Sequence, residues 1–126
     1  MIERNTISLS LSTVADNGKD VETKALIDSG AGGKFIDQNF AKNFEMKKLD
    51  MPIKAYNVDG TENKKGTIQY SVDLAFHIDG HRFEETLLVT RLGKQKIILG
   101  FPWLNEHNPA INWKTGQIEW QKIYPA

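Results

Sequence analysis

The apolar run Ala25-Leu26-Ile27 leads straight into Asp28, and Ser29, Gly30, Ala31, Gly32 and Gly33 follow. An acid at the inner end of an apolar run is costly unless it is paired, hydrogen-bonded or neutralised. Four of the next five positions are glycine or alanine, so the backbone there can turn tightly or approach another group closely. Two readings of Asp28 stand at this point. Its carboxylate caps the N–H groups of a strand-ending turn, or it is half of a chemical device.

Other residue types offer less. His77 and His81 flank an Asp79-Gly80 turn, without the helical geometry that would aim both at one metal, and His107 ends a short helical stretch. No metal and no cofactor is expected. The Lys114-Thr115-Gly116 triplet has no Ser-x-x-Lys or Ser-Asp-Asn companion and reads as a hairpin turn. Trp103, Trp113 and Trp120 read as core or interface aromatics rather than a stacking platform.

The elements that would hold Asp28 are mostly strands. Ile7, Leu9 and Leu11 alternate with polar residues, Asn17-Gly18 supplies a turn, and Val21 to Ile27 returns as a second arm. Val72, Leu74, Phe76 and Ile78 alternate likewise, and Phe83 to Val89 comes back after Asp79-Gly80. Ile53 to Val58 and Gly66 to Tyr70 form a hairpin bending near Asp59-Gly60 with a polar tip. Ile111 to Trp113 and Gln117 to Ile123 form a last hairpin. Helical periodicity is scarce. Asp37 caps a short helix over Gln38 to Phe44, with Phe40 and Phe44 on one face, and Pro102 opens a second that stops before Asn108-Pro109.

The chain has 126 residues, a length for one domain, with 16 basic and 16 acidic residues and a formal net charge of zero. That balance disfavours a nucleic-acid partner, which usually meets a basic surplus. With no cysteine, thiolate catalysis, disulfides and Cys-based zinc sites drop out. No apolar run approaches membrane-spanning length and the start lacks a signal-peptide layout, so a soluble domain with no membrane partner is expected.

The tripeptide gains meaning from its context. LIDSGA, then KFID leading into QNFA, the VDGT bend, IILGFPWLNEHNP and the following INW together resemble a retropepsin. This is the aspartic protease of retroviruses and LTR retrotransposons, and the likeness is greatest to gypsy-type elements. It extends over roughly residues 5 to 123. Two positions depart from the retroviral pattern: Gly32 stands where an acid is often found, and Phe101 where an arginine is. Losing both leaves neither charge unpaired.

The resemblance implies an all-β fold, a small closed barrel with one or two short helices, one lobe per chain. It implies an aspartic endopeptidase. Two carboxyls share a proton, one activating water while the other protonates the carbonyl oxygen. Like charges about 3 Å apart cannot both stay ionised, so such a pair titrates as a unit. Only one Asp-Ser-Gly is present, so the second carboxyl would come from another copy in a twofold homodimer. In that arrangement Asp28 is the catalytic acid/base, and Ser29 braces the two loops across the axis. Gly30 permits close approach, and Ala31 and Gly32 line the floor. Val58, Asp59 and Gly60 belong to a flap spanning Tyr56 to Ile68. Ile97 to Gly100 would support the Asp28 loop, and Leu26, Ile53, Ile68 and Leu99 would give apolar pockets. The implied substrate is polypeptide, a Gag-Pol-like polyprotein, and the implied setting is cytoplasmic or within virus-like particles. Two other readings compete: a retropepsin-like domain that dimerises or binds peptide without turnover, and a small RNA-binding barrel, which zero net charge disfavours.

Overall fold

The computed structural model describes residues 5–56 and 62–120, in which nine strands and two short helices follow one another. β1 (Thr6–Val14) and β2 (Asp20–Asp28) form the first hairpin, in antiparallel register from Thr6 opposite Asp28 to Val14 opposite Asp20. The turn between them closes through Gly18 N–H to the Ala15 carbonyl (2.9 Å), with Gly18 at φ +85°, a left-handed conformation that glycine adopts without strain. Ile7 and Leu11 point into the core as their alternation requires.

β3 (Lys34–Asp37) and β7 (Ile97–Leu99) lie on the far side of β2. β7 runs parallel to β2 and antiparallel to β3, and β3 runs parallel to β6 (His81–Thr90). β6 pairs with β5 (Glu62–Ile78), whose far end returns to β1 through Ser12 opposite His77 and Thr13 opposite Phe76. The ring β1-β2-β7-β3-β6-β5 is thereby a closed six-stranded barrel, with β4 (Lys47–Tyr56) added outside on β5. Closure removes the unpaired edges an open sheet of these strands would expose. The expected all-β barrel is the observed fold.

Two elements differ from expectation. The sequence reads Gly66 to Tyr70 and Val72 to Ile78 as arms of separate hairpins. They are one strand of 17 residues, paired with β4 in its first half and β6 in its second. The apolar alternation Ile68, Tyr70, Val72, Leu74, Phe76, Ile78 never changes phase, so nothing ends the strand between them. Conversely, α1 stops at Ala41 (Gln38–Ala41) instead of Phe44. Beyond it Asn43 and Phe44 donate to carbonyls three residues back, and the tighter turn still brings the Phe40 and Phe44 rings to 5.4 Å, edge to face.

α2 (Phe101–His107) has Pro102 in its first turn and ends at Asn108, which is left-handed (φ 44°) and donates its N–H to the Leu104 carbonyl. Its Trp103 is fully buried, 5.4 Å from the Phe83 ring, while Trp120 packs from the side of β9. β8 (Ala110–Asn112) and β9 (Gln117–Glu119) are shorter than the arms expected, which reached Ile123, a residue outside those described. Trp103 is thus core, and Trp113 and Trp120 are half-buried against it. Among the described residues no helix is long and apolar enough to cross a membrane.

Candidate active site

Asp28 is the last residue of β2. The two-residue period places its side chain on the same side of the strand as Leu26, opposite the core residues Ala25 and Ile27. It is fully buried, and its Oδ1 accepts the Gly30 N–H at 2.9 Å. The Asp28 carbonyl accepts from Ala31 N at 3.1 Å, closing a tight turn. The neighbouring residue is anchored at both ends: Ser29 N–H donates to the Asn5 carbonyl, and Ser29 Oγ accepts the Asn5 N–H, each at 2.9 Å. The brace expected from Ser29 across a twofold axis is, within one chain, a brace to the residue preceding β1.

The rest of the loop is held by the segment that follows β7. Gly100 N–H donates to the Gly33 carbonyl at 2.9 Å and Phe101 N–H to the Ala31 carbonyl at 2.8 Å. A Cβ at Gly100 would run into those same two carbonyl oxygens, so this approach needs glycine. Ile97 to Gly100 therefore supports the Asp28 loop through strand pairing and hydrogen bonds. Within the loop Gly30 and Gly32 are exposed and Ala31 is half-buried. A Cβ at Gly32 would meet nothing within 4 Å.

Of the expected substrate contacts, Val58, Asp59 and Gly60 lie outside the described residues. The arms leading to them pair Ile53 with Ile68, Lys54 with Thr67 and Tyr56 with Glu62, with irregular register between. The expected apolar lining needs correction. Leu99 is fully buried and Ile68 nearly so, because Leu99 takes register beside core-facing Ile27. Ile53 is 44% exposed and Leu26 half-buried. Register puts different residues beside Leu26. Ile98 neighbours it on β7, Phe35 neighbours Ile98 on β3, and Leu88 neighbours Phe35 on β6. All four are half-buried, a continuous apolar row across the sheet on the side of β2 that carries Asp28.

A second polar group lies behind the site. Glu85 occupies a core-phase position of β6, between Phe83 and Leu87, and its side chain is only 3% exposed. Lys34 Nζ meets its Oε1 at 3.1 Å, and His107 Nε2 lies 3.6 Å from Oε2 and 3.8 Å from Glu106 Oε2. Sequence reasoning missed this network, although an acid in phase with Phe83 and Leu87 is a legible sign of a buried charge needing a partner. The three acceptor-bearing side chains lie close enough to share an ion, but Lys34 already balances Glu85.

Asp37 joins β3 to its surroundings. Its Oδ2 accepts the Asn39 N–H at 3.1 Å, capping α1, and its Oδ1 accepts the Leu92 N–H at 3.0 Å. Burial pulls its pKa upward. The N–H groups of Leu92, Asn39 and Phe40 and the charge of Lys96 outweigh that and hold it below the ordinary value.

Comparison with known proteins agrees with the fold. The family model of the PEG10/RTL1 protease domain matches residues 24–124. Among solved structures, the retroviral protease-like domain of Ddi1 from Leishmania major superposes with a TM-score of 0.58 at 12% identity, covering 98% of this chain and 91% of that one. The simian foamy virus (mac) protease, solved in solution, gives a TM-score of 0.47 at 19% identity, over 79% of this chain and 97% of that one. A barrel of this topology, with Asp-Ser-Gly ending one strand and the family match running from Lys24 through that loop to the last hairpin, leads to one assignment: the chain belongs to the PEG10/RTL1 protease domain family, a retropepsin-like domain of gypsy-retrotransposon descent.

Proposed function

We propose that the domain is an aspartic endopeptidase that works as a twofold homodimer, each chain supplying its Asp28. The observation that carries this reading is the state of Asp28: buried at a strand end, bonded to Gly30 N–H, in a loop pinned by Gly100 and Phe101. A capping turn alone needs no such external pinning, whereas a reacting carboxylate gains from being held rigidly before substrate arrives.

In the dimer one carboxylate takes a proton from water as the water oxygen adds to the peptide carbonyl carbon. The partner's carboxyl gives its proton to the carbonyl oxygen. The resulting diol then loses a hydroxyl proton to a carboxylate while the nitrogen gains one, the C–N bond breaks, and the shared proton is restored. An extended polypeptide would lie along the row Leu26, Ile98, Phe35, Leu88, its backbone bonded and alternate side chains in apolar pockets. The natural substrate would be a Gag-Pol-like polyprotein that carries the domain.

Changing Asp28→Asn is expected to abolish cleavage of a diverse peptide library at mildly acidic pH while far-UV circular dichroism and the unfolding midpoint stay native. An active Asp28→Asn variant sinks the proposal. The apolar row would serve equally in a domain that binds peptide without turnover. Retained peptide binding with no cleavage by the dimeric wild type would select that second reading.

A further inference from the structure

Behind the Asp28 loop, one buried acid touches both of the segments that hold it. Glu85 stands at a core-phase position of β6, and its Oε1 accepts from Lys34 Nζ at 3.1 Å. Lys34 follows Gly33 directly and shares the inward phase of Ile36. The pairing therefore fixes the start of β3 just where the Gly33 carbonyl accepts Gly100 N–H. Glu85 Oε2 faces His107 Nε2 at 3.6 Å, a polar approach longer than a hydrogen bond. His107 is the last residue of α2, and its ring meets the Phe83 ring of β6 edge-on, with centroids 4.9 Å apart. Glu106 also approaches that nitrogen, at 3.8 Å, but from α2 itself. The first residue of α2, Phe101, donates its N–H to the Ala31 carbonyl. Two routes thus run from Glu85 to the Asp28 loop. One passes through Lys34 into Gly33, the other along α2, about 10 Å of helix, into Ala31.

We infer, on the reading that Asp28 is the reacting carboxylate, that Glu85 is a positioning residue: it holds the Asp28 loop through Lys34 and His107 without meeting substrate. Stability alone is a poor reason for a charge in this place, since a buried ion pair is commonly no better than apolar side chains of the same volume. Apolar surfaces, however, set no direction. A carboxylate with one oxygen on Lys34 and the other toward His107 fixes β3 and α2 relative to each other, as buried polar networks do. That precision matters at a reacting group, where a misplacement of about 1 Å costs up to about a hundredfold in rate.

The test compares wild type, Glu85→Gln and the double variant Lys34→Met with Glu85→Leu, which removes both charges and keeps the interior filled. Amide hydrogen exchange at Gly100 and Phe101 reads the hold on the loop without substrate, while exchange at the core residues Val72 and Leu87 reads global opening. Peptide cleavage, at concentrations where sedimentation shows a dimer, gives kcat and KM. In the double variant, exchange at Gly100 and Phe101 is expected to quicken by about tenfold or more relative to Val72 and Leu87. There kcat is expected to fall by about tenfold or more with KM unchanged. Glu85→Gln keeps the shape and weakens both contacts, so smaller changes in the same direction are expected. It decides by the same criterion if the double variant fails to fold. A merely structural role moves exchange at all these amides together and leaves kcat per folded molecule native, and that outcome overturns the inference. So does loosened exchange at Gly100 and Phe101 with native kcat. Loosened exchange in a domain whose wild type cleaves nothing refutes the peptidase reading and leaves the hold on the loop standing. Cleavage by wild type with exchange and kcat unmoved refutes the inference alone, and neither cleavage nor loosening refutes both.

Discussion

Gly100 donates its N–H to the carbonyl of Gly33 at 2.9 Å, and a side chain at Gly100 has no room because the Ala31 and Gly33 carbonyls already fill it. This contact converts β7 into the support of the Asp28 loop. Gly100→Ala is expected to destabilise the fold by about 1–3 kcal/mol, the scale of forcing one extra carbon into a packed interior. It should reduce any Asp28-dependent activity further than the lost folded fraction accounts for, because the loop shifts in every folded molecule. Urea unfolding gives the first quantity, and activity per folded molecule the second. A Gly100→Ala protein of native stability and activity would show that the close approach is dispensable.

Asp37 ties α1 and the chain at Leu92 to the end of β3, and its pKa lies below the ordinary carboxylate value. The sign follows. A depressed native pKa means the ionised form is favoured by folding. The stabilisation is complete above the unfolded pKa near 3.8 and is lost as pH falls through the native pKa. Asp37→Ala is expected to cost about 1–2 kcal/mol near neutrality, the scale of losing a helix cap with a second backbone bond. The deficit relative to wild type should shrink below pH 4. A deficit that stays constant down to pH 3 would place the effect in packing rather than charge.

Much of this architecture was legible because its signals are local. The alternation of Ile7, Leu9 and Leu11, the turn pairs Asn17-Gly18 and Asp79-Gly80, the cap at Asp37 and the proline opening α2 each act within a few residues. What was not legible depends on register between distant strands. Nothing in Ile97-Ile98-Leu99 says which side chain faces outward until Leu99 is set beside Ile27. The pocket-lining expectation therefore chose Leu99, where the structure presents Ile98. Phe35 and Leu88 were missed for the same reason, since their row exists only once four strands are aligned. The Asp28 loop stands between these cases. Its motif is local, but its rigidity comes from Gly100 and Phe101, far downstream in the chain.

The Lys34–Glu85 pair yields an asymmetric prediction. Glu85 is almost wholly buried and Lys34 about a quarter exposed. Removing only the cation in Lys34→Met leaves a buried carboxylate short of its partner, which is expected to cost about 3–5 kcal/mol. The double variant Lys34→Met with Glu85→Gln is expected to recover more than half of that loss. A urea-based double-mutant cycle measures the coupling. Additive losses would show that Lys34 and Glu85 are not energetically coupled.

Phe101 is 57% exposed although its own N–H is committed to the Ala31 carbonyl beside Asp28. Under the homodimer proposal, that ring lies where a second chain must approach to bring its Asp28 near, and burying it would offset part of the cost of association. Phe101→Asp places a charge in the same location on both chains, so the twofold contact meets two like charges as well as losing two rings. The monomer loses little, because the ring is mostly in water there. The dimer dissociation constant is expected to rise at least tenfold in sedimentation over a concentration series. Cleavage activity should fall in proportion to the dimer lost and return at high protein concentration. Unchanged dimerisation by Phe101→Asp would move the contact away from α2 and leave the exposed ring without a part in assembly.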